Sequence, residues 1–399
     1  MENENIGSGT RSLNIICDTD KNVRDFYVVN PVGDANSIFI SNSEISAMLD
    51  FGGNKLDSFC KEQLAFSNIF ILSHYHKDHY EGLLQLKKER LKKLRIEQLY
   101  YPVLPEISDE KALIQKLLVF SFCLGDDSGC PEVDLVKLIQ ELNGDGIKLN
   151  YTPVAKGRNI KIGSSKYEVI WPPEKISPEN NKSIFSKIKK IRDEINSNPV
   201  LKSLWNEVNK LKFTGNDYHS FSIDFERVSK PINDINKTFS TEINDATFKK
   251  VKDSIVSKIC KVTNSLSICL YKKNEFLSFG DLESDDIKEC TSQLTYDKNS
   301  AYIPVKYFIT AHHGTHYHEF CQYIKADYVI SSNGSRMKNQ FKSEYKNCGR
   351  YCHNTCDDGI FANSEVMRLS TGIVASIDGV KEVTNLGDMI SKGIICVIR

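Results

Sequence analysis

Four side chains of the types that bind metal ions lie within six consecutive positions of this 399-residue chain. They are His74, His76, Asp78 and His79. The chain has only nine histidines, so three of them in so short a segment indicate a metal site rather than a polar loop. Imidazole nitrogens and carboxylate oxygens are the ligands that zinc and related divalent ions take from proteins.

This segment lies between a predicted strand and a predicted helix. The apolar run at 69–72 precedes it, and leucines at helical spacing follow it. His74 and His76 are two residues apart, so on an extended chain their side chains point the same way and can bind one ion. Asp78 and His79 come where the helix begins, and they can bind a second ion beside the first.

The segment resembles the HxHxDH signature of the metallo-β-lactamase-fold hydrolases, and its flanking segments match that family in the same order. The run at 47–53 ends in an aspartate–glycine turn, and two later strands end at Asp281 and at the pair His312 and His313. The order of the segments 171–173, 264–268, 280–282 and 312–315 is similar to that in the hydrolase domain of ComEC-type DNA-uptake proteins and its soluble relatives. The resemblance covers roughly residues 30 to 335.

The resemblance implies a fold and a role for each site residue. The expected fold belongs to the α+β class and is a four-layer αββα sandwich with a helical insertion. Asp281 is expected to bridge both ions, and Asp50 to support the ligand loops from behind. One of His312 and His313 would complete the ligands of the second ion. Only one of them is expected to bind it, because the side chains of adjacent residues on an extended chain point in opposite directions. Asp78, Asp281 and His313 are the expected catalytic residues.

One ligand of the family pattern is missing. Most members have a further histidine between the first motif and the bridging aspartate, which completes the first site. Here His219 is the only histidine between His79 and His312. Either His219 folds back into the site, or the first ion has two protein histidines and more water.

The chain is predicted to be one domain that a helical block interrupts. Residues 1–12 are expected to be a mobile terminus, 13–174 and 263–399 the two halves of the domain, and 175–262 the insertion. Apolar residues recur at helical spacing among many charged residues in the insertion, which is typical of amphipathic helices. The block is expected to be a lid, an oligomer contact or a packed decoration.

The composition restricts the partners. Acidic and basic residues number 52 each, so the formal net charge is zero. Proteins that bind duplex DNA usually carry a basic surface, so a compact or single-stranded anionic substrate is favoured. No apolar run is long enough to span a bilayer, and the amino-terminal residues lack the pattern of a secretory leader. These features predict a cytoplasmic protein with no membrane partner.

The expected activity is hydrolysis by a hydroxide that two divalent ions share. Zinc is the first choice for an imidazole-rich site, and manganese is the alternative because Asp78 and Asp281 add oxygen ligands. The resemblance favours a phosphodiesterase or nuclease that acts on a nucleotide or a single-stranded nucleic acid. The alternatives are hydrolysis of a small non-nucleotide ester, amide or thioester, and a metal-stabilised scaffold without turnover.

Overall fold

The computed structural model describes residues 25–355, apart from 31, 43–44, 54–55, 57, 91–92, 108–109, 111, 126–134, 212–224, 244–245, 247, 293 and 295–301, together with residues 366–369 and 372–375. The strands, in chain order, are β1 (Phe26–Val29), β2 (Ser37–Ser41), β3 (Ser46–Phe51), β4 (Ile69–Ile71), β5 (Gln98–Pro102), β6 (Glu106–Ile107), β7 (Asn150–Val154), β8 (Asn159–Ile162), β9 (Ser165–Trp171), β10 (Lys175–Ile176), β11 (Cys269–Lys272), β12 (Phe276–Ser278), β13 (Ile303–Ile309), β14 (Ile324–Ser331), β15 (Gly349–Asn354), β16 (Val366–Leu369) and β17 (Gly372–Ala375). The α-helices are α1 (Ser58–Phe66), α2 (Glu81–Lys88), α3 (Leu113–Cys123), α4 (Leu135–Leu142), α5 (Lys182–Ser197), α6 (Pro199–Lys210), α7 (Phe225–Ile243), α8 (Lys249–Asn264), α9 (Ser284–Thr291) and α10 (Ser335–Lys338).

The strands form two large sheets. The first has eight strands in the order β16-β17-β1-β2-β3-β4-β5-β7, and the second has seven in the order β15-β14-β13-β12-β11-β9-β8. Each sheet is antiparallel on one side and parallel on the other. The parallel pairs are β3–β4, β4–β5 and β5–β7 in the first sheet, and β12–β13, β13–β14 and β14–β15 in the second.

Alternate side chains of the strands belong to two different apolar clusters, as the period of two in a strand requires. From β2, Ile38 and Ile40 join a buried cluster to which the second sheet contributes Tyr307 and Ile309 of β13. Phe39, which lies between them in the sequence, joins a cluster that contains the helices. The two sheets therefore share an inner core, helices cover their outer faces, and the fold is mixed α/β.

Helices α5 to α8 lie in the block whose apolar spacing predicts helices. Four isoleucines of α5 are buried at that spacing: Ile184, Ile188, Ile191 and Ile195. Within the block α5 contacts α6 and α8, while α3 contacts α6, α7 and α8, and α9 contacts α5. The block is thus packed into the outer helical layer, and its use as an oligomer contact stays a prediction. None of the helices in the described part of the chain is long and apolar enough to cross a membrane.

The carboxyl ends of the parallel strands carry the predicted site residues. Parallel neighbours end at the same edge of a sheet, which is where ligands bind in many α/β proteins. Asp50 is the last residue but one of β3, and the segment from His74 to His79 follows β4. In the second sheet Asp281 follows β12, and the pair His312 and His313 follows β13. The topology therefore brings residues that are about 240 positions apart in the sequence to one place.

Candidate metal centre

Asp281 lies at the centre of a cluster of imidazoles. Its Oδ2 is 3.3 Å from Nε2 of His313, 3.5 Å from Nε2 of His79, 3.8 Å from Nε2 of His312 and 3.9 Å from Nε2 of His74. These distances exceed the usual range of N–H···O hydrogen bonds, about 2.7–3.2 Å. Two ligands of one tetrahedral zinc, each about 2.05 Å from the ion, lie about 3.3 Å apart. The cluster therefore has the spacing of a ligand shell.

Three of the imidazoles have a buried nitrogen that makes no hydrogen bond. Nε2 of His74, His79 and His313 is buried and makes no hydrogen bond within the described residues. The other nitrogens are held in place: Nδ1 of His313 donates to the carbonyl oxygen of Ser332 at 2.6 Å, and Nδ1 of His79 lies 2.7 Å from Oδ2 of Asp50. In the neutral form of His313, with its proton on Nδ1, the lone pair is on Nε2. An unpartnered buried polar group costs about 1–3 kcal/mol, and a cation at this point would remove that cost.

Asp50 holds the ligand loop from behind. It is fully buried. Its Oδ1 accepts a hydrogen bond from the backbone N of Ser73 at 2.7 Å, and its Oδ2 accepts one from Nδ2 of Asn36 at 2.8 Å. The hydroxyl of Ser73 lies 3.2 Å from Nδ1 of His74 and 3.0 Å from Nδ1 of His79. Asp50 has the contacts expected of a residue that supports the loop, whereas no sequence pattern marks Ser73 as a residue of the site.

Asp78 forms a second group with His79 and His313. Oδ1 of Asp78 is 3.9 Å from Nε2 of His79, and Oδ2 is 3.8 Å from Nε2 of His313. Ligand atoms of these three residues lie within 4.8 Å of one another, as do those of His74, His79 and Asp281. His79 and Asp281 therefore lie between two adjacent positions, each of which could hold an ion.

His76 is oriented by the helical block. Its Nε2 lies 2.6 Å from the hydroxyl oxygen of Thr263, a residue in the last turn of α8. The Thr263 hydroxyl also lies 2.7 Å from the carbonyl oxygen of Cys260; if its proton is donated there, it accepts the proton on Nε2 of His76. The lone pair of a neutral His76 is then on Nδ1. The ring of His76 lies 4.7 Å from that of His74. Thr263 is a functional contact that no local sequence signal identifies.

The backbone at the histidine pair is not extended. His312 and His313 have φ angles of 45° and 57°, in the left-handed region, and Gly314 continues with φ of 80°. The expectation that only one ring of the pair can face the metals assumed an extended chain, and that assumption is wrong. Both rings approach Asp281, because consecutive left-handed residues do not alternate as strand residues do. A left-handed non-glycine residue costs roughly 1–2 kcal/mol, and such strain is concentrated at functional sites.

The histidines of the cluster differ in the direction of their pKa shifts. Burial lowers the pKa of His74 well below its usual value and lowers that of His312 to about 3. Burial also opposes the charge on His79 and His313, but nearby carboxylates raise the pKa of both above the usual value. Burial would raise the pKa of Asp281, yet the surrounding imidazoles hold it well below its usual range. The metal-free cluster thus combines an ionised aspartate with protonated and neutral histidines.

We expect metal binding near pH 6.5 to release protons. The raised pKa values of His79 and His313 keep them protonated in the metal-free protein, and an imidazole must be neutral to bind an ion. Binding should therefore release up to about two protons per protein, and the release should fall as the pH rises through the raised pKa values. Calorimetric zinc titrations in buffers with different ionisation enthalpies measure this number. Binding without proton release at about pH 6 would contradict the pairing of these histidines with carboxylates.

His219, one of the two alternatives for the third ligand of the first ion, lies outside the described residues. The assignment of individual ligands to individual ions stays a prediction. Six of the seven residues predicted as metal ligands have an atom close to Asp281 or Asp78 or are one of these two: His74, Asp78, His79, Asp281, His312 and His313. His76 is in none of these groups; its ring lies 4.7 Å from that of His74.

Comparison with known proteins adds little to this geometry. No protein-family model matches the chain, and no curated protein matches it. Solved structures do match, among them one described as the crystal structure of a new diphosphatase from the PhnP family, at 11% sequence identity and a TM-score of 0.21. The match covers 37% of this chain and 57% of that one. At this TM-score the likeness is a weak one and carries no conclusion about activity.

Proposed function

We propose that this chain is a metal-dependent hydrolase of the metallo-β-lactamase fold that binds two divalent ions and cleaves phosphodiesters. The observation that carries the proposal is the convergence of three buried Nε2 atoms, none of which makes a hydrogen bond, on the carboxylate of Asp281. The shared inner core of the two sheets and the position of the site at the carboxyl ends of their strands support the fold assignment. The order of the sequence motifs supports the likeness to the ComEC-type hydrolase domain.

In this proposal each side chain has a defined task. His74 and His76 would hold one ion, Asp78 and His79 would hold the other, and Asp281 would be a ligand of both. Divalent ions at such a centre supply a Lewis acid for the attacked oxygen and a nucleophile near neutral pH. Asp50, Ser73 and Thr263 fix the rings of the ligands, so that little reorganisation is needed when the charge of the transition state develops.

The accessible side of the cluster is the side of Asp78. The side chain of Asp78 is 39% exposed, that of His312 is 21% exposed, and that of Asp281 is only 6% exposed. A substrate would therefore approach Asp78 and His312 and meet the ions from that side. With zero net charge on the chain, the ions themselves would supply most of the attraction for an anion. This favours a nucleotide or a single-stranded nucleic acid over long duplex, whose binding needs many basic contacts.

Replacement of Asp78 should abolish cleavage of bis(p-nitrophenyl) phosphate. We expect Asp78→Ala to lower the rate with zinc or manganese by more than about 100-fold, since it removes a ligand rather than a residue behind one. Asp145→Ala is the matched control, because Asp145 is exposed and lies outside the cluster. Activity should be followed together with metal content and circular dichroism, which separate loss of chemistry from loss of folding.

Each outcome of this assay separates the proposal from its alternatives. Cleavage by the wild type and the control, and its loss in the variant, would support a phosphodiesterase. Cleavage of nitrophenyl esters or thioesters with no cleavage of phosphodiesters would favour the small-ester hydrolase. Metal binding without turnover of any of these substrates would favour a metal-stabilised scaffold.

A further inference from the structure

The first ion of the proposed centre has two histidines, and the source of its third ligand is not given by the motif. The pair at 312–313 approaches Asp281 from a left-handed turn, and its two rings lie in different surroundings. His313 is grouped with Asp78 and His79. Nε2 of His312 lies 3.8 Å from Oδ2 of Asp281, the same oxygen that Nε2 of His74 approaches to 3.9 Å.

We propose that His312 is the third imidazole ligand of the first ion, and that His316 and Glu283 position it. This inference rests on the proposed function. It assigns the two adjacent histidines to different ions, His312 to the ion of His74 and His76, and His313 to the ion of Asp78 and His79. The missing histidine of the sequence motif is thereby replaced from a different strand end.

The contacts of His312 fix which of its nitrogens is available. Its Nδ1 lies 2.7 Å from Nδ1 of His316, which is a hydrogen-bond distance. If Nδ1 of His312 carries the proton and donates it to His316, the lone pair of His312 is on Nε2, the atom that faces Asp281. The proton of a neutral His316 is then on Nε2, which lies 3.9 Å from Oε2 of Glu283. A ligand histidine that donates its second nitrogen to a polar partner is the usual arrangement at protein metal sites.

The far end of this chain of contacts is anchored. Oε1 of Glu283 accepts a hydrogen bond from Nδ2 of Asn264 at 3.0 Å, and Asn264 is the last residue of α8. The hydroxyl of Tyr345 donates to the carbonyl oxygen of His316 and accepts from the backbone N of Ala311 at 3.3 Å. Tyr345 is fully buried, so it holds together the two ends of the turn that carries His312.

A separate ion bound by Glu283, His312 and His316 is the competing interpretation, since their ligand atoms lie within 4.8 Å of one another. The contact between the two Nδ1 atoms argues against an ion that both of them bind. Two imidazole ligands of one tetrahedral ion lie about 3.3 Å apart, whereas these atoms are 2.7 Å apart. That spacing fits a shared proton, and the 3.8 Å between His312 and Asp281 fits an ion.

Metal counting in two backgrounds tests the assignment without any substrate. Zinc would be titrated into the purified full-length chain and counted by elemental analysis after desalting. In the Asp78→Ala background, which keeps the first ion, His312→Ala should remove the remaining equivalent. In the His74→Ala background, which has already lost the first ion, His312→Ala should not lower the zinc content any further. Substitutions of two ligands of the same ion are not additive, whereas those of ligands of different ions are. His313→Ala should show the reverse pattern. His312→Gln, with circular dichroism of every variant, guards against an effect of misfolding.

The positioning residues have a test of their own. His316→Ala should weaken binding of the first ion about 10–100-fold in competition with a chelator and leave the second ion unchanged. His318→Ala is the control, since the ring of His318 stacks on that of Phe320. The assignment of His312 would be overturned if His312→Ala removed zinc in the His74→Ala background and not in the Asp78→Ala background. It would also be overturned if His312→Ala and His312→Gln both kept the first ion. Neither result would contradict the proposed function. A wild-type chain that binds no zinc would overturn the proposed function as well, and a third tight equivalent lost in His316→Ala would favour the separate ion.

Discussion

Asp281→Asn should bind less than one equivalent of divalent metal, where the wild-type chain should bind about two. The asparagine keeps the size of the side chain and the backbone hydrogen bond to the hydroxyl of Ser267, which is 3.0 Å long. It removes the one negative charge that faces four imidazole Nε2 atoms at 3.3–3.9 Å. The two ions would then lack the carboxylate that is proposed to bind both of them. Phosphodiester cleavage should fall by more than about 100-fold, since a ligand common to both ions is lost.

The control for this variant is Asp286→Asn. Asp286 is also a fully buried aspartate, but it is paired with Nζ of Lys187 at 2.7 Å on the outer helical layer. Its replacement should lower the thermal stability and leave two equivalents of metal bound. Elemental analysis and thermal unfolding of both variants give the comparison. An unchanged metal content in Asp281→Asn would contradict a bridged centre and would shift the interpretation towards a mononuclear or non-catalytic protein.

The parts of the molecule that the sequence predicts well are those whose signal is local. The ligand motif from His74 to His79 is contiguous, and it needs only a strand before it and a helix after it. The isoleucine stripe of α5 is likewise a property of one segment, because burial of one helix face depends on a period of 3.6 residues. The apolar runs that precede Asp281 and His312 predict that a strand ends at each of these residues. The parallel topology then brings the two strand ends to one edge of the sheet.

The parts that could not be predicted depend on contacts between distant segments or on backbone conformation. The left-handed turn at His312 and His313 has no sequence signal before Gly314, and it decides where both rings point. Thr263 reaches His76 across 187 positions of sequence, and no local pattern marks that threonine as a partner of a ligand. His316 also contacts His312 only because of the shape of the turn between them. Tertiary packing sets all of these contacts, so they follow from the fold rather than from the motif.

Gly52→Ala should be the most damaging substitution outside the ligands. A Cβ at this position would lie 1.5 Å from the backbone carbonyl oxygen of Asp78 and 2.6 Å from its carbonyl carbon. A backbone carbonyl cannot rotate away as the end of a side chain can. The backbone N of Gly52 is itself held by the carbonyl oxygen of Asn36 at 2.9 Å. The turn that carries Asp78 would have to move, and it takes His79 with it.

We therefore expect Gly52→Ala to lose the second ion and to be destabilised by more than the roughly 1–3 kcal/mol of ordinary overpacking. Gly144→Ala is the matched control, because the nearest atom to a Cβ there is 3.8 Å away, and its effect should lie within about 0.5 kcal/mol. Urea unfolding and zinc titration of both variants measure the two effects. An unchanged free energy of unfolding and two bound ions in Gly52→Ala would mean that the end of β3 does not pack closely against the ligand turn. The support that Asp50 gives to His79 would then need another explanation, since both contacts depend on the same approach of β3 to that turn.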